Sequence, residues 1–399
     1  MTNRKRTYAA AIVTVSFALA GCSSNGSDQS APSASKIPAV SASASPEPLP
    51  VPTVVVDGAP TTVVTDQNEV IGRLDAPWDL EFMPDGSMLI SERDTANIER
   101  VRSGFATALN GPGAEALRGM VDADGEGGLL GLALSPTDHT TLYAYISRAG
   151  DNAVVRMSLT GDLLSAPVDV VAGIPHATRH NGGRIEFGPD GYLYISTGDS
   201  SDGDLAQDPT SLAGKILRVV ADGSEDDGTA PSGNPSDSIV WSLGHRNVEG
   251  FGWTGDGRMY ASEFGNDSTD ELNLIQPGAN YGWPTVEATQ GAPAGTALGD
   301  TVGGLTYPAV EWAVADASPS GIAITEDAIY IAALRGEGVW RIPLTQDGVG
   351  TPALLNLDLG RIRDVEVGPG GDLYVVTNNT DGRGEPREGD DHVYKITVS

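Results

Sequence analysis

From about residue 66 to its end, the chain repeats one pattern of apolar and polar positions. A short apolar stretch meets a tight turn, often written Pro-Asp-Gly, and a second stretch of β-branched and aromatic residues follows. The repeats cover residues 78–90 (turn at Pro84-Asp85-Gly86), 129–145 (around Pro136) and 180–199 (Pro189-Asp190-Gly191). Three more cover residues 250–262 (Asp256-Gly257), 321–332 (Glu326-Asp327) and 365–376 (Pro369-Gly370-Gly371). Within a repeat the apolar period is two, as in Leu193 and Ile195 against Tyr192 and Tyr194, so both faces of the strand carry bulky residues. That pattern suits strands sandwiched between neighbouring sheets. A third strand usually follows, such as Ile98 to Val101, Lys215 to Val219 or Val339 to Ile342. The turns recur roughly 43 to 71 residues apart, the length of a four-stranded propeller blade with loop insertions. The six units predict an all-β fold, a six-bladed β-propeller of four-stranded antiparallel blades. A pair of β-sandwiches would not produce six similar units.

Residues 1–21 break this pattern and read as an export signal. Arg4, Lys5 and Arg6 precede an apolar run from Tyr8 to Ala20 that is short for a bilayer span. The run closes on Leu19-Ala20-Gly21-Cys22, which resembles the lipobox of bacterial lipoproteins. That resemblance implies a lipid on Cys22 and a protein outside the cytoplasm, anchored to the bacterial cell membrane. Cys22 is the sole cysteine, so no disulfide forms within the chain. Residues 22–60 are rich in Ser, Ala and Pro and read as a flexible tether, leaving residues 61–399 for the propeller. With 54 acidic residues against 24 basic, a net charge of −30 argues against nucleic acid as a partner.

A propeller hosts enzymes and binding scaffolds alike, so function must be read from the loops around its channel. His180 and Asp199 flank the open end of one hairpin, where an imidazole and a carboxylate can act as base and orienting partner. Arginines recur near strand starts, at Arg184, Arg246, Arg335, Arg361 and Arg363, and arginines from different blades could converge on a polyanion. The run from Ser262 to Asn273 is dense in oxygen donors of the kind calcium takes, although its spacing is not that of an EF-hand.

Together, His180-Asn181-Gly182-Gly183-Arg184 with Gly198-Asp199, Leu243 to Asn247, Asp270 to Ile275, Asn280-Tyr281-Gly282-Trp283-Pro284 and Arg361 to Asp364 resemble the soluble aldose sugar dehydrogenases that depend on pyrroloquinoline quinone (PQQ). These are also called the glucose/sorbosone dehydrogenases. The resemblance covers about residue 75 to the C-terminus. It implies oxidation of an aldose at C1 to the lactone, with His180 as general base, Asp199 as its orienting partner, and hydride passing to a calcium-activated quinone. It further implies cofactor contacts from Arg246, Asn247, Arg335, Arg361, Arg363 and Glu126, with Arg246 stabilising charge on the reacting carbonyl. The carbonyls of Gly265 and Asn266 would hold the catalytic calcium, and Glu271 with Tyr281 would form a second, structural calcium site. The sugar, and the electron acceptor that regenerates the cofactor, are not named by these motifs. Glu126 stands where the better-known members have glutamine, Phe264 replaces a polar residue, and Arg335 takes the place of a lysine. A carboxylate at position 126 opposes a tricarboxylate cofactor unless it is protonated or paired with an arginine. Two other readings use the same loops: a calcium-dependent hydrolase of the lactonase type, and a non-catalytic envelope protein that binds a ligand on the scaffold.

Overall fold

The computed structural model describes residues 62–398. The leader, Cys22 and the tether lie outside the described residues. The described chain forms six sheets whose main path is four antiparallel strands, and each sheet begins with one of the six repeats. The innermost strands are Pro77–Phe82, Leu129–Leu134, Ile185–Phe187, Val248–Trp253, Pro319–Ile324 and Ile362–Val367. They succeed one another around a central channel, the last packing against the first, and number the blades one to six.

Alternation along the strands explains the stacking. Leu193 and Ile195 join Leu130, Tyr143 and Val154 of the second blade in one apolar cluster. Tyr194, pointing the other way, joins Phe251, Met259 and Ala261 of the fourth. Each of the six interfaces between neighbouring blades has such a cluster. Burying both faces of every sheet is the main stabilisation, at about 25 cal/mol for each Å² of apolar surface removed from water.

Ring closure was not legible in the repeats. The sixth blade takes its outermost strand from the other end of the propeller: Val64–Ile71 pairs with Val393–Val398. Pairing the two ends in one sheet closes the ring without leaving an open gap between first and last blades. One short helix, Pro112–Met120, sits between the first and second blades and packs Leu117 into their shared core.

Near the channel, polar side chains on or just after second strands tie three of the blades to the inner strand of the next. Ser91 Oγ donates to Leu130 O at 2.6 Å, Ser262 Oγ to Ser320 O at 2.6 Å, and Asn378 Nδ2 to Pro77 O at 3.0 Å. Arg184 is buried among these groups. It pairs with Asp79 of the first blade and, at 3.0 Å, with Asp364 of the sixth, and its Nε donates to Glu249 O of the fourth. Arg184 is therefore a cross-brace of the channel and does not face a ligand.

Candidate active site

In a four-stranded antiparallel blade, the connection entering the first strand and the turn from second to third strand lie on the same face. Eight of the residues singled out in the sequence fall in these segments. Glu126, His180, Arg246 and Arg361 come just before inner strands; Asp199, Gly265, Asn266 and Arg335 come after second strands. Most of them wall a cleft of about 1010 Å³ over one mouth of the channel. Glu126, His180, Arg246, Gly265, Asn266, Arg335 and Arg361 all line it.

His180 has a left-handed backbone (φ 59°), and the adjoining turn closes tightly upon it. A Cβ at Gly198 would lie 1.9 Å from His180 O, so only glycine fits beside it. His180 Nδ1 lies 2.7 Å from Asp199 Oδ1, and Asp199 is almost wholly buried. Asp199 also accepts the Ser201 N–H on Oδ1 and the Trp283 indole N–H on Oδ2, each at 2.8 Å. A carboxylate so held favours the tautomer with the proton on Nδ1, leaving the Nε2 lone pair free. Among the described residues nothing hydrogen-bonds to Nε2.

Glu126 resolves the conflict that its charge posed. Its Oε2 accepts the His180 N–H at 2.8 Å, and its Oε1 takes Arg383 Nη2 at 2.7 Å. Burial pushes its carboxyl up, but these two donors outweigh burial and hold it below the usual range. Arg383 also lines the cleft. It lies in a polar run without periodicity, 257 residues from its partner, so nothing local in the sequence points to it.

The other guanidinium groups are only partly engaged. Arg246 Nη1 donates to Phe264 O and its Nη2 to Asn266 Oδ1, both at a long 3.3 Å. Arg361 pairs with Asp381 at 2.9 Å and donates to Leu334 O at 3.3 Å. Arg335 reaches only Val314 O, at 3.4 Å. The Nε atoms of Arg246 and Arg361 are buried with no hydrogen-bond partner. Guanidinium groups that line a cleft with few, long protein hydrogen bonds suit an anionic, oxygen-rich ligand.

Two of the expected cofactor contacts lie elsewhere. Asn247 is fully buried beneath the cleft; its Oδ1 accepts the Gly182 N–H at 3.0 Å and its Nδ2 donates to Glu249 at 2.8 Å. It supports the turn carrying His180. Arg363 is buried deeper in the channel, with Nη1 2.5 Å from Glu249 and 3.2 Å from Ser320 Oγ. Neither residue lines the cleft. Depth along the strand is the reason: Arg361 precedes it and lies at the mouth, while Arg363, two residues on and at a bulge in the ladder, has already entered the channel.

The acidic loop has an internal order that the sequence did not reveal. Glu287 Oε1 accepts the N–H groups of Asn266, Ser268 and Thr269, at 2.7, 3.3 and 3.2 Å. Asp270 accepts Gly265 N–H at 2.9 Å and Ser318 N–H at 2.7 Å, and burial pushes its carboxyl up to about 6. The carbonyl oxygens of Gly265 and Asn266 accept no hydrogen bond among the described residues. Glu271 and Tyr281 are buried and do not line the cleft. Burial, reinforced by Glu263, raises the Glu271 carboxyl well above the usual range. Asn273 donates to both glutamates, at 3.2 and 2.9 Å, while its Oδ1 is buried without a partner.

The sequence profile of the glucose/sorbosone dehydrogenase family matches residues 74–385. The chain belongs to this family. The PQQ-bound aldose sugar dehydrogenase of Streptomyces coelicolor is 43% identical, with a TM-score of 0.75, over 85% of this chain and 98% of that one. Aldose sugar dehydrogenase YliI of Escherichia coli is 32% identical over 359 residues, covering 81% of this chain and 92% of that protein. Quinoprotein glucose dehydrogenase B of Acinetobacter calcoaceticus is 33% identical over 261 residues. That match covers 55% of this chain and about half of the relative, 52% of its length. The family match takes in all six inner strands and the cleft-lining residues from Glu126 to Arg383.

Proposed function

We propose that this protein oxidises an aldose at C1 to the lactone, with PQQ and calcium seated in the cleft. The observation that carries this reading is the His180–Asp199 pair opening into a cavity walled by arginines that retain unused donors. A tricarboxylate quinone fits such a wall. Arg246, Arg335, Arg361 and Arg383 would hold it, and Arg383, paired with Glu126, removes the charge conflict at that position. The free carbonyls of Gly265 and Asn266 fit a hard cation at the cleft, and Glu271 with the orphaned Asn273 Oδ1 fits a second, buried one. When bound, PQQ supplies the two-electron acceptor for the C1 hydride, and calcium beside it supplies Lewis acidity.

The chain's own residues do the remaining work. His180 Nε2 accepts the proton of the anomeric hydroxyl as the C1–H bond breaks. Asp199 fixes the ring and stabilises the imidazolium that forms. Arg246, at the cleft wall, offers positive charge where negative charge develops. Hydrolysis of a neutral lactone would leave the arginine wall without a purpose, and this disfavours the hydrolase reading.

Reconstitution tests the proposal. The purified protein should take up PQQ in the presence of calcium, and its absorption spectrum should change to that of the reduced cofactor when an aldose is added. A chelator should lower the melting temperature, and calcium should restore it better than magnesium, which demands a tighter octahedral shell. A protein indifferent to calcium that takes up no PQQ would be a binding protein on the same scaffold.

We further propose that the protein is exported and carries a lipid on Cys22, supported by the Leu19-Ala20-Gly21-Cys22 sequence and the tether behind it. Cys22→Ala should release the protein from the membrane fraction. Identical fractionation of the two forms would reject the anchor.

A further inference from the structure

Asp199 is the orienting partner of His180, but Asp199 must itself be held. Its carboxylate accepts hydrogen bonds from three directions. His180 Nδ1 and Ser201 N–H converge on Oδ1, and among the described residues the indole Nε1–H of Trp283 is the sole donor to Oδ2. Trp283 comes from a distant loop, 84 residues further along the chain, and does not line the cleft. It is anchored by its own backbone: its N–H donates to Gly244 O at 3.0 Å, and its carbonyl accepts Gln207 Nε2 at 2.6 Å. Its ring also stands beside Arg246, with the guanidinium carbon 5.5 Å from the ring centroid. One side chain thus touches both the partner of the base and the arginine at the cleft wall.

From this juxtaposition we infer that Trp283 is a positioning residue, which locks the Asp199 carboxylate so that Oδ1 stays in line with His180 Nδ1. The inference rests on the reading of His180 as the base. Without the indole N–H, Oδ2 has no donor, and the buried carboxylate can turn about its Cβ–Cγ bond. The charged groups around the imidazole do not supply a substitute. Glu126 engages the His180 backbone N–H and Arg383, while Arg246 reaches Phe264 O and Asn266. Small misplacements of a reacting group, of about 1 Å, cost on the order of a hundredfold in rate.

Trp283→Phe removes the N–H but keeps an aromatic ring beside Arg246. Trp283→His restores a ring N–H, because the imidazole superposes on the five-membered ring of the indole. In the PQQ- and calcium-loaded enzyme, Trp283→Phe should lower kcat about tenfold to a hundredfold with KM nearly unchanged, and Trp283→His should recover much of the loss. In the cofactor-free protein, proton NMR should show the His180 Nδ1–H as a hydrogen-bonded, slowly exchanging resonance. It should be broadened or lost in Trp283→Phe and kept in Trp283→His. Wild-type kcat and an intact resonance in Trp283→Phe would overturn the positioning role, as would equal loss in both variants. His180→Gln separates this from failure of the underlying reading: if that variant turns over normally, His180 is not the base at all.

Discussion

His180→Gln is expected to cut sugar-dependent reduction of the cofactor by about a hundredfold to ten-thousandfold, the usual cost of losing a general base. The imidazole lies on the cleft wall with Nδ1 engaged by Asp199 and Nε2 without a protein partner. Glutamine occupies similar space but cannot accept a proton at neutral pH. The surrounding structure does not depend on the ring, because the Glu126 bond is made by the His180 backbone N–H, which any residue keeps. Melting temperature, calcium uptake and PQQ affinity should therefore stay near wild-type values. Stopped-flow recording of the reductive half-reaction reads the rate free of the unknown acceptor. An unchanged rate in the loaded variant would remove His180 from the mechanism.

Arg246→Ala should lose on the order of a hundredfold to a thousandfold in the same half-reaction, the scale seen when a donor to developing negative charge is removed. Unlike His180→Gln, it should also weaken PQQ binding. The Arg246 guanidinium lines the cleft and holds only two long hydrogen bonds, so its remaining Nη donors are free for a ligand. Equilibrium titration with PQQ, followed by single-turnover reduction at saturating cofactor, separates the two effects. Normal affinity together with a normal rate would place Arg246 outside the site. Its backbone N–H is held by Glu263, in a buried chain running through His245 to Ser242, so the loop should keep its course in the variant.

The repeat of strand, turn and strand determined the propeller, because a strand with apolar residues on both faces can be buried only between two sheets. Leu193 and Ile195 against Tyr194 carried that information without any tertiary knowledge. The same local order brought His180 and Asp199 together, since the two ends of a hairpin must meet, and it set most of the arginines at the cleft face, because connections of one kind share one face. What the sequence could not determine is which of two neighbouring polar positions faces the mouth. Arg361 and Arg363 are two residues apart, yet one lines the cleft and the other is a buried partner of Glu249. Asn247, next to Arg246, turns away from the cleft to accept the Gly182 N–H. Partners brought together only by the packing of blades were equally invisible: Trp283 on Asp199 between neighbouring blades, and Arg383 on Glu126 and Val64–Ile71 on the last strand through ring closure. Residues close in the chain are coupled by strand geometry, which the sequence encodes directly. Residues from different blades meet only once the sheets have packed against one another, and that packing decided which charges are braces and which are left free for a ligand.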